Sequence, residues 1–141
     1  MSRLSIIIPT LNEEKNLSLL LDSLEKQSFK DYEIIVADAG SKDKTKTIAK
    51  KYGAKITKGG LPAKGKNEGA KIAKGSLLLF LDADTILPKG FIEKFLKEFY
   101  KKKLSIAGFV LVPEKGIRAE VFFYLFYKIL FFGFIDLLDL F

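Results

Sequence analysis

Short apolar runs that alternate with stretches of helical periodicity leave this chain few folds to choose from. Residues 4–8 (LSIII), 33–37 (EIIVA), 54–57 (AKIT), 77–81 (LLLFL) and 104–112 (LSIAGFVLV) read as strands, and every interval between them carries a helix signal. Strands alternating with helices imply βαβ units. The expected class is therefore α/β: a mostly parallel, twisted sheet whose right-handed crossovers put helices on both faces. In the usual doubly wound order strands one and four are neighbours where the winding reverses. Ligands bind at the carboxyl ends of the strands around that switch point.

Local signals give the elements their expected ends. Leu17, Leu20, Leu21 and Leu24 recur at helical spacing, and Thr10 with Glu13 has the form of a capping box. Asp43 reads as the N-cap of a helix running to about Tyr52, with Gly53 as its stop. A glycine-rich loop at 58–66 is expected to lead into a short helix at 67–74. Pro88 is expected to start another helix, which places Phe91, Phe95 and Phe99 on one face. The unbroken apolar run at 77–81 predicts a strand covered on both faces.

Composition narrows the chemistry. The 141 residues suit one domain with a real core. They include neither cysteine nor histidine, which removes disulfides, thiolate metal sites and the commonest general base. Any acid, base or ligand must come from carboxylates, lysines, hydroxyls or backbone. The net charge of +7 comes almost wholly from lysine, Arg3 and Arg118 being the only arginines. That excess suits an anionic partner or a lysine-coated surface. The N-terminal apolar stretch is too short for a signal peptide, so a cytoplasmic location is expected.

The polar residues gather where the switch point should be. Thr10, Asn12 and Glu13 follow strand one, Asp38 ends strand two, and Asp82, Ala83 and Asp84 follow strand four. Two carboxylates at i and i+2 can face one cavity if a divalent cation relieves their repulsion, and hard oxygen ligands suit Mg²⁺ or Mn²⁺. The alternative is a simple turn in which Asp84 caps the helix near Pro88. Asp38 can accept hydrogen bonds from a base N–H or a ribose hydroxyl. Lys64 and Lys66, expected in the loop before a helix, can meet a diphosphate.

Two rival assignments are weighed on residues. A dinucleotide fold requires Gly-x-Gly-x-x-Gly after strand one, where this chain has PTLNEE, whose acids would repel a pyrophosphate. A phosphatase of the haloacid dehalogenase type would use Asp82 as nucleophile and Asp84 as acid/base. Its signature normally ends strand one, and Ile86 stands where that signature carries Thr or Val.

With these residues placed, the chain resembles a family-2 glycosyltransferase of the Rossmann-like GT-A fold over about residues 4–113. The blocks SIIIPTLNEEKNL, EIIVADAGSKDKT and KGKNEGAKIAKGSLLLFLDADT carry the likeness in family order, the last with its DXD motif. The resemblance implies transfer of a sugar from a UDP- or GDP-sugar to an acceptor hydroxyl, with inversion, and no nucleic-acid partner. It implies that Pro9, Thr10, Asn12 and Glu13 line the nucleotide pocket and that Asp38 holds the base. Lys66 and Asn67 would approach the diphosphate-sugar, Asp82 with Ala83 the ribose or sugar, and Asp84, with Asp82, a Mg²⁺ or Mn²⁺ ion. The family's catalytic base belongs to a later, acceptor-binding segment. It is expected beyond Phe141, so that the chain is the donor-binding part of a longer protein or a nucleotide-binding or oligomerising fragment.

Residues 117–141 form a separate, phenylalanine-rich segment, read as a helix. Lys128, Asp136 and Asp139 argue against a membrane span. The expectations are a helix lying in a membrane surface on the cytoplasmic side, or one packed on a missing half or a twin subunit. Surface contact would suit a lipid-linked or polysaccharide acceptor.

Overall fold

The computed structural model describes residues 4–105, 108–111 and 121–124. They fall into two compact units divided at Gly90 and Phe91. The first unit contains strands β1 (Leu4–Thr10), β2 (Tyr32–Asp38), β3 (Lys55–Lys58) and β4 (Leu77–Phe80), and helices α1 (Glu14–Glu25), α2 (Thr45–Lys51) and α3 (Pro62–Ile72). The strands form one sheet in the order β3-β2-β1-β4, every pair parallel. Winding runs outward from β1 through β2 to β3, then jumps back to β4 on the other side of β1. The switch point therefore lies between β1 and β4, as expected from the alternation of elements. Right-handed crossovers put α1 and α2 on one face and α3 on the other, and α1 packs beside α2.

The core follows from the sequence periods. Ile6, Ile7 and Ile8 of β1, and Ile35, Val36 and Ala37 of β2, are buried on both sides of the central strands. Leu17, Leu20, Leu21 and Leu24 form the buried face of α1. On the opposite face, α3 approaches the sheet through Gly65 and Gly69, one turn apart. A Cβ at Gly65 would press on Pro9, and one at Gly69 would run into Ile7. The close approach of α3 to the centre of the sheet depends on those two positions having no side chain.

Pro9 stands in a central strand, which normally excludes proline. The Ile7 carbonyl accepts from the Leu81 N–H on the β4 side, and the Thr10 carbonyl accepts from the Ala39 N–H on the β2 side. Successive residues of a parallel strand bond to alternate sides, so Pro9 turns its missing N–H toward β4. The β1–β4 pairing stops at Ile7 and Phe80, leaving no ladder partner for that N–H. Proline is tolerated there because the strands have already parted.

Three expectations fail in this unit. The glycine-rich segment is not a loop up to Lys66: α3 begins at Pro62, so Lys64 and Lys66 lie on its first turns. Proline at the first helical position is pre-set for φ and lacks an N–H that would have no intrahelical partner, which outweighs the low propensity of the glycines. Strand β4 is an edge of the described sheet and is not covered on both faces: Leu79 is buried, whereas Leu78 and Phe80 are about two-fifths exposed, at 44% and 40%. The Thr10–Glu13 capping box does not form either. Glu13 precedes α1 without a side-chain cap of its own, for a reason that belongs to the site.

In the second unit, α4 (Phe91–Lys101) begins three residues after Pro88, later than expected. Phe91, Phe95 and Phe99 share a face, with ring centroids about one helical turn apart at 6.0 and 6.1 Å. Strands β5 (Gly108–Leu111) and β6 (Val121–Tyr124) form an antiparallel pair of their own. The fifth strand thus does not extend the parallel sheet. Val121–Tyr124, read from sequence as the start of the aromatic helix, is a strand, in keeping with its β-branched and aromatic residues. The rest of the 117–141 segment, residues 117–120 and 125–141, lies outside the described residues. Among the described residues no helix is long and apolar enough to cross a membrane.

Candidate functional site

The ends of β1 and β2 are in register, Thr10 opposite Asp38. Asp38 is buried, and its carboxylate is held by its own loop: Oδ2 accepts the N–H groups of Gly40 and Ser41, each at 3.0 Å. The Thr10 hydroxyl donates to Oδ1 over a long 3.4 Å, and the Lys46 ammonium stands 4.0 Å from Oδ2. Burial would raise the Asp38 carboxyl. The Ser41 hydroxyl, the Ser41 and Gly40 N–H groups and the Lys46 charge outweigh it and hold the group below the usual carboxylate range. Asp38 is thus an ionised acceptor in a fixed orientation, suited to a ligand N–H or hydroxyl.

The loop after β1 is shaped by the loop after β2. Three consecutive N–H groups donate to side chains of that second loop and of Thr45, the first residue of α2. Asn12 donates to Ser41 Oγ at 2.8 Å, Glu13 to Thr45 Oγ1 at 2.9 Å and Glu14 to Asp43 Oδ2 at 3.0 Å. The exchange is reciprocal. The Lys42 N–H donates to Asn12 Oδ1 at 2.9 Å and the Lys44 N–H to Glu14 Oε2 at 3.0 Å. Asp43 also accepts the Thr45 N–H and hydroxyl through Oδ1, at 3.0 and 2.5 Å, from one residue before the N-cap of α2, which is Lys44 and not Asp43 as expected.

This cross-capping replaces the capping box. Thr10 turns to Asp38, and the N–H groups of Asn12, Glu13 and Glu14, which lead into α1, are satisfied from 29 to 32 residues away. It also has a chemical consequence. N–H groups at a helix start are common anion ligands, but those of Asn12, Glu13 and Glu14 are already committed. Glu13 turns its carboxylate to Asn16, at 2.8 Å.

On the other side of β1, the chain leaves β4 with its side chains alternating. Leu81, Ala83 and Leu87 are buried, whereas Asp82 and Asp84 are exposed. The small Ala83 turned inward is what points both carboxylates outward. The segment is anchored from below by two buried polar residues, Ser23 of α1 and Gln27 just past its end: the Leu87 N–H donates to Ser23 Oγ at 3.1 Å, and Gln27 Nε2 donates to the Pro88 carbonyl at 2.9 Å. Because α4 starts only at Phe91, Asp84 is too far away to cap it. From α3, Lys66 reaches Asp82 with Nζ 3.3 Å from Oδ1. Asn67, next to Lys66, is exposed, and Pro9 is half-buried beneath Gly65.

The sequence-derived residues therefore form two clusters flanking the end of β1. Thr10, Asn12 and Glu13 belong with Asp38, and Lys66 belongs with Asp82 and the adjoining Ala83 and Asp84. Among the described residues no three carboxylates gather into a metal cluster. Sequence reasoning missed Ser41 and Thr45 as clasps, and Ser23 and Gln27 as anchors. Only the last two left a signal: they sit at i+3 and i+7 from Leu20, polar residues in line with the apolar face of α1, Gln27 just past its end.

A parallel sheet with carboxylates and lysines gathered at its carboxyl edge, across a switch point, defines a doubly wound ligand-binding domain of the GT-A-like kind. The family model described as glycosyl transferase family 2 matches residues 5–134, and the chain belongs to that family. It is 38% identical over 133 residues to the poly(ribitol-phosphate) beta-N-acetylglucosaminyltransferase TarS of Staphylococcus aureus, covering 85% of this chain and 22% of TarS. It is 30% identical over 131 residues to the GalNAc(5)-diNAcBac-PP-undecaprenol beta-1,3-glucosyltransferase of Campylobacter jejuni, covering 86% of this chain and 42% of that protein. A crystal structure of S. aureus TarS bound to UDP-GlcNAc superposes with a TM-score of 0.68 at 30% identity, over 84% of this chain and 36% of the other. A Mycobacterium tuberculosis glucosyl-3-phosphoglycerate synthase bound to Mn²⁺, UDP and glucosyl-3-phosphoglycerate superposes at 0.53 with 26% identity, over 70% and 39%. The chain thus spans about a fifth of TarS and about two-fifths of the Campylobacter protein. Membership of the family sets aside the phosphatase assignment of Asp82 and Asp84.

Proposed function

We propose that this chain binds the donor of an inverting glycosyltransferase that moves a sugar from a nucleoside-diphosphate sugar to an acceptor hydroxyl. The observation that carries the reading is the pair of clusters at the switch point. One offers an oriented, ionised acceptor at Asp38; the other offers exposed carboxylates and an ammonium at Asp82, Asp84 and Lys66. The first suits a nucleobase or ribose, the second a diphosphate. The family supports the assignment, and the likeness to UDP-GlcNAc-bound TarS favours a UDP-sugar over a GDP-sugar.

The second cluster fits a divalent cation. Asp82 and Asp84 are exposed hard-oxygen donors on either side of buried Ala83, and a cationic group, the Lys66 ammonium, already stands against Asp82. With two protein carboxylates, the remaining ligands would come from diphosphate and water, the habit of Mg²⁺ and of Mn²⁺ in phosphate sites. When bound, the ion would neutralise charge on the departing nucleoside diphosphate. Pro9, Thr10, Asn12 and Glu13 would wall the nucleoside, Asp38 would accept from it, and Lys66 and Asn67 would turn to the diphosphate-sugar. The acceptor hydroxyl would attack the anomeric carbon as the bond to the diphosphate oxygen breaks on the opposite face, its proton passing to a base outside the described residues. A lipid-linked or polysaccharide acceptor is proposed by analogy with the undecaprenol-linked and poly(ribitol-phosphate) substrates in the relatives' names. A cytoplasmic location, with membrane-surface or self-association through 117–141, belongs to the same proposal.

Calorimetric titration of UDP, GDP and their sugars, with and without Mn²⁺, tests the reading. The expected result is binding that requires metal for full affinity and loses that dependence in Asp84→Ala. Unchanged metal-dependent affinity in the variant would remove Asp84 from the site.

A further inference from the structure

Two buried hydroxyls join the halves of the nucleoside cluster, and neither belongs to the residues placed against the ligand. Ser41 is 4% exposed and Thr45 fully buried. Ser41 binds the Asp38 carboxylate through its N–H and accepts the Asn12 N–H on its hydroxyl. Thr45 accepts the Glu13 N–H and donates to Asp43. Between these anchors Asn12 is held at φ +56°, in the left-handed region, which asparagine tolerates better than most non-glycine residues but still enters at a cost. Such a conformation persists where its surroundings over-determine it, and here the surroundings are the side chains of one neighbouring loop.

We infer that Ser41 and Thr45 are positioning residues for the nucleoside end of the donor site, their hydroxyls holding Asn12 and Glu13 in register with Asp38. The inference rests on the donor-site reading above. Loss of either hydroxyl frees the Asn12–Glu13 backbone to relax out of the left-handed turn. Only a fraction of molecules then presents the binding geometry, and the apparent dissociation constant rises by the inverse of that fraction. The modest strain at Asn12 sets the expected loss at about three- to tenfold. The loss falls on the nucleoside, so it is the same for ligands with and without a second phosphate and is independent of metal.

The test is titration of UMP and UDP into wild type, Ser41→Ala, Thr45→Val and Thr45→Ser, at urea-free conditions where each is fully folded by circular dichroism. Ser41→Ala and Thr45→Val should weaken both nucleotides by the stated factor. Thr45→Ser, which restores the hydroxyl, should stay within about twofold of wild type. Variants with a lower urea midpoint and unaltered affinity would assign the hydroxyls to stability alone and overturn the inference. Wild type that binds neither nucleotide would overturn the donor reading, and this inference with it. Amide hydrogen exchange of wild type adds a measurement that needs no variant: the Asn12 and Glu13 amides should be protected without ligand. Exchange at free-loop rates there would refute the clasp.

Discussion

Glu33, at the amino edge of the sheet, gives the sharpest quantitative test of how this domain is held together. It is 6% exposed and its carboxylate collects three elements. Oε1 accepts the Ser5 hydroxyl of β1 and the Lys74 N–H that follows α3, each at 2.7 Å; Oε2 accepts the Lys55 ammonium of β3 at 2.7 Å. Ser5 in turn accepts the Gly75 N–H at 2.8 Å. Burial would raise the Glu33 carboxyl. The bonds from Lys55, Ser5 and Lys74, with the Lys55 charge, reverse that and bring it from 4.5 to about 2. A group depressed on folding stabilises fully above its unfolded pKa and loses its contribution as pH falls through the folded one. The window here runs from about 4.5 down to about 2.

The shift corresponds to about 3 kcal/mol at neutral pH. The Lys55 side chain is 43% exposed, so solvent screening reduces this to roughly 1.5–3 kcal/mol. Glu33→Gln keeps the shape and removes the charge. By urea denaturation followed by circular dichroism, the variant should be less stable by that amount at pH 7. The gap should fall to less than half at about pH 3 and nearly vanish at about pH 2, with the slope m unchanged. A gap of the same size at pH 7 and pH 3 would show that the carboxylate's charge is not what holds the three elements. A gap below about 0.5 kcal/mol at pH 7 would refute the network altogether.

Two further outcomes follow from packing around the site. Gly69→Ala should destabilise the fold by about 1–3 kcal/mol, because the added methyl runs into Ile7 and forces α3 off the sheet; a denaturation midpoint equal to wild type would contradict the close approach. Ser23→Ala leaves the buried Leu87 N–H without its acceptor, costing about 1–3 kcal/mol. It should also weaken metal-dependent nucleotide binding several-fold through the Asp82–Asp84 segment, while metal-free binding of UMP stays unchanged. Equal effects on both would show that the anchor does not act through that segment.

Most of the architecture could be read from linear patterns because it depends on local periods. Alternating runs of isoleucine, valine and leucine with helical leucine spacing specify parallel βαβ units, and handedness then settles which face each helix takes. The acids were found for the same reason: in such sheets, residues just past a strand end lie at the binding edge. Polar clasps are a different kind of information. Whether Thr10 caps its own helix or turns to Asp38 depends on which acceptors another loop, some thirty residues away, brings within 3 Å of the α1 donors. No spacing within residues 10–14 encodes that choice.

The places of the four parallel strands, and of Asp38, Asp82 and Asp84 at their carboxyl ends, were thus legible in composition and period along the chain. The partners of those residues were set only in three dimensions. Lys66 meets Asp82 because α3 starts at Pro62 and lies close on its glycines. The N–H groups of Asn12, Glu13 and Glu14 that lead into α1 are committed because Ser41, Thr45 and Asp43 reach them first. Period and propensity are short-range and survive in the linear sequence. Hydrogen-bond partnership is a competition among all donors and acceptors in reach, and it is decided only when the chain has folded.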